Sequence, residues 1–417
     1  MKTNILITLF AICSLKAIGQ TGWIQQNSKF NGSLSDVCFI NPDTGWVVGA
    51  RGRILHTTNG GEQWNRQTSN TRVYLTKIFF ISALKGWIVG ENSTILHTED
   101  GGENWNFQQL DVNDALLFDV FFVNDSSGWI ANSQYNNQSG NNIYKTTNGG
   151  ENWSRKNIDW SNSPSVNSLF FLNQDVGWIG NHGIGIGITN NGGSTWSLNE
   201  NEHCVNSIHF INENTGWINC SPMGIYKTTD GGYTWQHNTS QPATWGVDVY
   251  FFNENIGWAT SGTPDSSFIM KTTNGGNSWT IQNSHPLSTV EFNSLCFIDE
   301  NLGWVVGTGG VIYKFGSSAY INSLERNVNS NNILSIQIIP HAYTTIFAIK
   351  YELAKSGYVK LEVYNLNGSK IETLVNKRQT EGEHYVAWQP QDLPSGIYIV
   401  KLQNEELMYT KKLVLKK

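Results

Sequence analysis

The sequence predicts an all-β protein: a seven-bladed β-propeller closed by an N-terminal strand, followed by a small Ig-like β-sandwich. Three observations predict it. Two tryptophan series recur in phase at a spacing of about forty residues. A glycine-rich turn recurs with one of them. The composition, with 41 Gly and 17 Trp but only 14% charged residues, favours turns and aromatic packing over helix.

The first series consists of Gly-Trp pairs ending in Trp46, Trp87, Trp129, Trp178, Trp217, Trp258 and Trp304. The second is Trp23, Trp64, Trp105, Trp153, Trp196, Trp235 and Trp279, which leaves Trp160, Trp245 and Trp388 outside the repeat. Before each Gly-Trp lies a short apolar run ending in Phe39, Phe80, Phe122, Phe171, Phe210, Phe251 or Phe297. Apolar residues on both sides of that Phe predict an innermost strand buried on both faces. A second strand follows Gly-Trp, then a third such as Ile54-Leu55-His56, then the turn and the second-series Trp, giving four strands per unit.

The turn reads Thr57-Thr58-Asn59-Gly60-Gly61-Glu62-Gln63-Trp64 and recurs in the next five units. Asn or Asp can bond backbone amides two residues on, and the paired glycines accept positive φ without steric cost. The seventh unit stops at Ile312-Tyr313-Lys314 with no turn and no Trp. Trp23-Ile24-Gln25-Gln26 supplies its missing strand, so the two ends of the repeat region close the ring and leave no open sheet edge.

Residues 1–19 read as a signal peptide: Lys2, an apolar run from Ile5 to Ile12, and Ala17-Ile18-Gly19 as a small-residue cleavage site. Ile12 ahead of Cys13 argues against lipid attachment there. No later stretch reaches the ~18 consecutive apolar residues of a membrane helix, so the mature chain is not expected to span a membrane. The propeller is assigned to 20–317, an Asn- and Ser-rich linker to 318–334, and a second domain to 335–417. Alternating runs such as Val359 to Tyr364 and Tyr398 to Leu402 give that second domain its β-sandwich reading.

The formal charge of −6 is concentrated in the propeller, because residues 335–417 are slightly basic. An acidic propeller excludes nucleic acid and anionic membrane as partners. Once Cys13 is removed, Cys38, Cys204, Cys220 and Cys296 remain, without the close spacing of a zinc or thiol-redox site. They read as buried thiols, with a Cys204–Cys220 bridge inside one blade left open. No metal or cofactor is expected.

The recurring turn resembles the Asp-box of many propellers, with Asn often in place of Asp. Through the combined Gly-Trp and Thr-Thr-Asn-Gly-Gly-x-x-Trp pattern, residues 20–317 are similar to Asp-box propellers of the photosystem II assembly and stability factor type. Residues 335–417 resemble the C-terminal sorting domain of the bacterial type IX secretion system. Gly396-Ile397-Tyr398 and Lys411-Lys412-Leu413-Val414-Leu415 carry that likeness, and Pro340-His341-Ala342 stands where a Pro-Asn-Pro-Phe opening is usual. The resemblance implies the secretion machinery as a partner, passage through periplasm and outer membrane, and release or display at the cell surface. An exported protein meets no photosystem, so the architecture carries over and the partner does not.

In propellers of this kind the inner strands start at one face, the mouth, and the Asp-boxes lie at the other. The residues expected to start the inner strands are Asp36, Lys77, Asp119, Ser168, Ser207, Asp248 and Ser294. Glycoside hydrolysis needs two carboxylates facing each other across the bond, and Asp36, Asp119 and Asp248 are the candidates. Asp-box xyloglucan hydrolases, a distant resemblance, build their cleft from two propellers, whereas this chain has one. Carboxylates bonded to backbone amides would speak for a capping role instead.

Arg51, Arg53, Arg66, Arg72 and Arg155 are too few and too clustered along the chain for a sialidase triad drawn from separate blades. Arg51, Arg53 and Arg72 are predicted on the mouth face, where the photosystem-type relatives hold a protein partner with an arginine patch. His56 and His97 read as repeat packing, aligned with Tyr144 and Tyr226. Trp160, Trp245, Tyr74, Tyr135 and Phe118 are expected in loops on the strand-start side, either stacking on a ligand or packing onto the blades. The expected function is a secreted or surface-displayed, non-catalytic propeller that binds a protein or glycan at its mouth, the alternative being a glycoside hydrolase using paired Asp residues there.

Overall fold

In the computed structural model the described residues are 22–110, 115–134, 142–158, 166–181, 185–200, 205–237, 245–286, 290–316, 334–340, 347–353, 355–365, 369–390, 393–394, 396–404 and 408–415. The signal peptide, almost all of the linker, and the candidates Tyr135, Trp160 and Cys204 lie outside them.

Seven four-stranded antiparallel sheets form the blades. Blade 1, for example, runs outward from Leu34–Phe39 through Gly45–Gly49 and Arg53–Thr57 to Asn65–Gln67. The later inner strands are Leu75–Phe80, Ala115–Phe122, Val166–Phe171, Val205–Phe210, Trp245–Phe251 and Phe292–Asp299. In blade 7 the outermost strand is Gly22–Gln26, paired antiparallel with Ile312–Gly316, so the N-terminal strand closes the ring as expected.

The Gly-Trp repeat has one steric reason and one packing reason. Phe39 faces Gly45 across the first two strands, and a Cβ on Gly45 would lie 2.5 Å from the Phe39 ring. Glycine is required there because the phenyl ring already fills the space. The adjacent Trp46 points into the junction with blade 2 and stacks on Phe80 at 3.6 Å between ring centroids. The same stack repeats around the ring from Trp87 on Phe122 to Trp304 on Phe39. Trp258 on Phe297 is looser, at 4.9 Å.

Second-series tryptophans close the other side of each Phe. Trp64 meets Phe39 edge to face at 5.8 Å, and Trp23 does the same for Phe297 at 6.0 Å, in place of the Trp that blade 7 lacks. The Asp-box that positions Trp64 is a local hydrogen-bond knot: Gly61 N–H donates to Thr57 Oγ1 and Gln63 N–H to Asn59 Oδ1. Gly60 and Gly61 hold φ of 65° and 88°, where a side chain would be strained.

These knots also lock neighbouring blades. Trp46 Nε1 donates to Gly101 O of the next Asp-box at 3.1 Å, and Trp87, Trp129, Trp178, Trp217 and Trp304 make the equivalent bond. Trp258 does not, because blade 7 has no Asp-box to offer a carbonyl, and its buried N–H has no partner.

Two expectations are corrected here. The inner strands begin earlier than Asp36 and its equivalents. In every blade the register shifts just before that residue, as between Leu34 and Asp36 or Leu75 and Lys77, so the polar group follows a β-bulge and is turned towards the ring axis. His56 and His97 do not align with Tyr144 and Tyr226. Each lies opposite its blade's Gly-Trp tryptophan, the place held later by Lys145 and Lys227, and stacks on that indole at 4.8 and 4.9 Å. They remain packing residues, and burial pulls both imidazole pKa values down.

The C-terminal unit contains a three-stranded sheet, Leu334–Pro340, Phe347–Leu353 and Gly382–Trp388, and a four-stranded sheet ordered Lys370–Gln379, Gly357–Asn365, Gly396–Gln403 and Met408–Leu415. One core joins them, in which Trp388 and Tyr398 meet Leu413 and Leu415 of the final Lys-Lys-Leu-Val-Leu run.

Cys38 and Cys296 are buried free thiols, as read from the sequence, and burial pushes the Cys296 pKa up to about 12. Cys220 is buried opposite Val205, while the proposed bridge to Cys204 involves a residue outside those described.

Candidate functional site

Two features occupy the mouth face. The first is the ring axis, where the bulged residues line a cavity of about 190 Å³. Asp36 accepts the Ile78 N–H at 2.9 Å, the Ser294 hydroxyl at 2.6 Å and the Lys77 ammonium at 3.1 Å. Asp248 accepts Ser207 Oγ–H, Val249 N–H and Leu295 N–H within 3.0 Å, and Ser294 Oγ, whose one proton lies closer to Asp36, is 3.2 Å away. Asp119 accepts two backbone amides, Val120 and Leu169, each at 2.9 Å.

Each of the three candidate carboxylates therefore receives the amide of the following blade's inner strand, so the group acts as a strut between blades. Burial raises the Asp119 pKa to about 7, and Lys77 and the two amides only partly offset it. Burial also raises that of Asp36, against the opposing pull of Lys77 and the Ile78 amide. For Lys77, burial disfavours the ammonium, but Asp36, Asp119 and Asp248 outweigh it and the pKa lies above the ordinary lysine value. Below this polar ring lies an aromatic belt, with Phe79, Phe121 and Phe170 in successive contact at 5.1 and 5.4 Å. His209 continues it, held neutral by burial with a pKa near 4 and its Nε2 2.8 Å from Phe251 O.

The second feature lies on blade 1. Arg51, Arg53 and Arg72 line one pocket of about 560 Å³ together with Arg66. The sequence reading counted Arg66 only among the five arginines too few for a sialidase triad. Its signal was its position two residues after Trp64, which leaves the side chain exposed near the mouth end of that strand. Arg51 occupies a left-handed turn at φ 60°, and the Arg53 guanidinium lies 4.4 Å over the Phe30 ring. None of the four pairs with a carboxylate among the described residues. The Arg53 Nε is buried without a partner, and burial, with Arg66 nearby, lowers its pKa.

The remaining candidates are dispersed. Trp245 is 40% exposed, but it is the first residue of an inner strand and not a loop residue, and it lines neither pocket. Tyr74 is half-buried, with its hydroxyl 3.4 Å from Ser33 Oγ and its N–H given to Glu91. Phe118 is half-buried in the wall of the axial cavity.

Residues 15–113 match the family described as photosynthesis system II assembly factor YCF48, and residues 337–416 match the secretion system C-terminal sorting domain. No curated protein matches the chain by sequence. Among solved structures, a YCF48 bound to a D1 peptide is 19% identical, with a TM-score of 0.57, covering 72% of this chain and 98% of that one. YCF48 from Cyanidioschyzon merolae is 22% identical, with a TM-score of 0.56, covering 71% and 98%. The GH74 enzyme of Niastella koreensis is 14% identical, with a TM-score of 0.56, covering 93% and 73%. At these identities the likeness establishes the propeller fold. Among the described residues no helix is long and apolar enough to cross a membrane, and the sorting domain marks the chain for secretion or the cell surface. The chain thus joins a YCF48-like domain, set in a seven-bladed propeller, to a type IX secretion sorting domain.

Proposed function

We propose that this exported propeller is a non-catalytic binding protein whose ligand is a carboxylate-bearing peptide segment, held in the arginine pocket of blade 1. The observation that carries this is the set of four arginines with no counter-ion among the described residues around one opening, in a propeller that is acidic as a whole. Like charges gathered without a partner are unfavourable unless an anion joins them, and guanidinium groups bind carboxylates in two-point geometry. The peptide-bound YCF48 neighbour supports a peptide over a glycan.

The hydrolase alternative draws support from the GH74 neighbour alone. Against it, Asp36, Asp119 and Asp248 are engaged with backbone amides, and a retaining or inverting pair needs its oxygens directed at a substrate.

The test is fluorescence anisotropy of the full-length protein with labelled acidic peptides, some ending in a free carboxylate and some amidated. Saturable binding that weakens with salt, and falls about ten-fold or more in Arg53→Gln/Arg66→Gln, is expected. Binding that is indifferent to these two changes refutes the reading, and release of reducing sugar from a glycan panel would restore the hydrolase.

A further inference from the structure

The polar ring at the axis is not uniform. On the side of blades 5, 6, 7, 1 and 2 its groups face one another: Ser207 donates to Asp248, Ser294 lies within hydrogen-bonding distance of both Asp36 and Asp248, and Lys77 pairs with Asp36. On the side of blades 3 and 4 they do not. Ser168 is only 5% exposed and faces the cavity, yet its hydroxyl has no partner among the described residues, whereas Ser207 and Ser294 are bonded. Asp119 accepts two backbone amides and no side-chain hydrogen bond, although the Lys77 ammonium attracts it through space, so two of about four acceptor sites on the carboxylate are used.

The residue just before the bulged one tells the same story. Ser35, Thr76, Asn206 and Asn293 all donate to a backbone carbonyl of the following blade. Asn167 does not, and its Oδ1 is buried without a partner; blades 3 and 6 have the apolar Phe118 and Val247 at this place. Unused acceptors, a carboxylate and an aromatic ring therefore collect in one sector of one cavity.

We infer that this sector, formed by Asp119, Ser168, Asn167 and Phe118, is a binding site for a primary ammonium group, distinct from the arginine pocket. An ammonium carries three donors and no acceptor, which suits a carboxylate, an amide oxygen and a hydroxyl; an aromatic ring beside them adds cation–π attraction. Lys77 does not fill this role, since its own ammonium is 3.1 Å from Asp36. An anion is disfavoured because three carboxylates face the cavity against one lysine.

The full-length protein is titrated with propylammonium chloride and followed by saturation-transfer NMR, with propanol and propionate as size-matched controls. Triglycine, N-acetyl-triglycine and Nα-acetyl-lysine amide then separate a peptide amino terminus from a lysine side chain as the source. Propylammonium should saturate while both controls fail, and Ser168→Val should weaken it roughly ten-fold without moving the melting temperature. Asp119→Asn should abolish it; should that variant not fold, Phe118→Leu and Ser168→Val carry the test. Arg53→Gln/Arg66→Gln should leave propylammonium binding unchanged, so failure here is distinguishable from failure of the arginine-pocket reading. Propylammonium binding no tighter than propanol, or undiminished in Ser168→Val, overturns the inference.

Discussion

On the Asp-box face six of the seven blade junctions are closed by one device, an indole N–H given to a turn carbonyl, and the seventh departs from it only because blade 7 has no turn. On the mouth face the backbone bulge repeats but the side chains that it presents differ between sectors. One holds an ion pair, one a serine bridge, one an unpaired serine, and blade 1 carries four arginines. The difference separates what holds the ring together from what is free to vary. The repeating face is where one device holds the blades together, and the face that varies is where the proposed recognition is placed.

The sharpest way to break this comparison is to remove Gly22–Gln26. Loss of Trp23, which meets both Trp258 and Phe297, together with an exposed strand edge along Ile312–Gly316, should turn the protein into an aggregating, poorly cooperative species by scattering and calorimetry. A deletion variant that stays monomeric with an unchanged melting temperature would show that closure contributes little.

Next comes the repeat core. Trp129→Ala should cost roughly 3–5 kcal/mol in denaturant unfolding, because a fully buried indole leaves a large cavity. A finer comparison uses phenylalanine. Trp178→Phe removes the bond to Gly231 O and leaves that carbonyl short of a donor, whereas Trp258→Phe removes an N–H that has no partner. The first should therefore cost about 1 kcal/mol more than the second. Equal losses would mean that these indole bonds do not hold the junctions.

A pH prediction follows from Asp119. Its folded-state pKa lies near 7 against an ordinary 3.8, so between these values the native state holds a proton that the unfolded chain has released. Stability contributed by that protonated carboxyl is present at low pH and is lost as pH rises through about 7. Asp119→Asn should flatten the wild-type decline between pH 5 and pH 8, whatever its effect on the baseline; parallel stability curves would contradict this. The smallest effect is expected from Trp245→Ala, which removes an exposed ring outside the repeat and should change stability by less than about 0.5 kcal/mol. A loss as large as that of Trp129→Ala would make it a core residue.

Blade count, closure by the N-terminal strand and the Asp-box turns were legible because each rests on local chemistry repeated in phase: Gly45 beneath Phe39, Gly60 and Gly61 at positive φ, Trp64 against Phe39. The site was legible in part. Arg51, Arg53 and Arg72 were gathered by their closeness in sequence, while Arg66 escaped because its approach depends on the pairing of the two outer strands. The bulges before Asp36 and its equivalents leave no mark in an apolar pattern, so the strand starts were set two or more residues late. Which hydroxyl at the axis lacks a partner depends on contacts between blades, and no spacing along one blade encodes it.

Closure of the ring by Gly22–Gln26 also sets an order of events. Gln25 and Tyr313, within hydrogen-bonding reach in blade 7, are 288 positions apart along the chain. The strand that leaves the ribosome first must wait for the last strand of the propeller before it has a neighbour, and so distant a pairing is slow to form. The sorting domain is synthesised only after Ile312–Gly316. Any molecule that displays its sorting domain therefore already holds every strand that its ring needs.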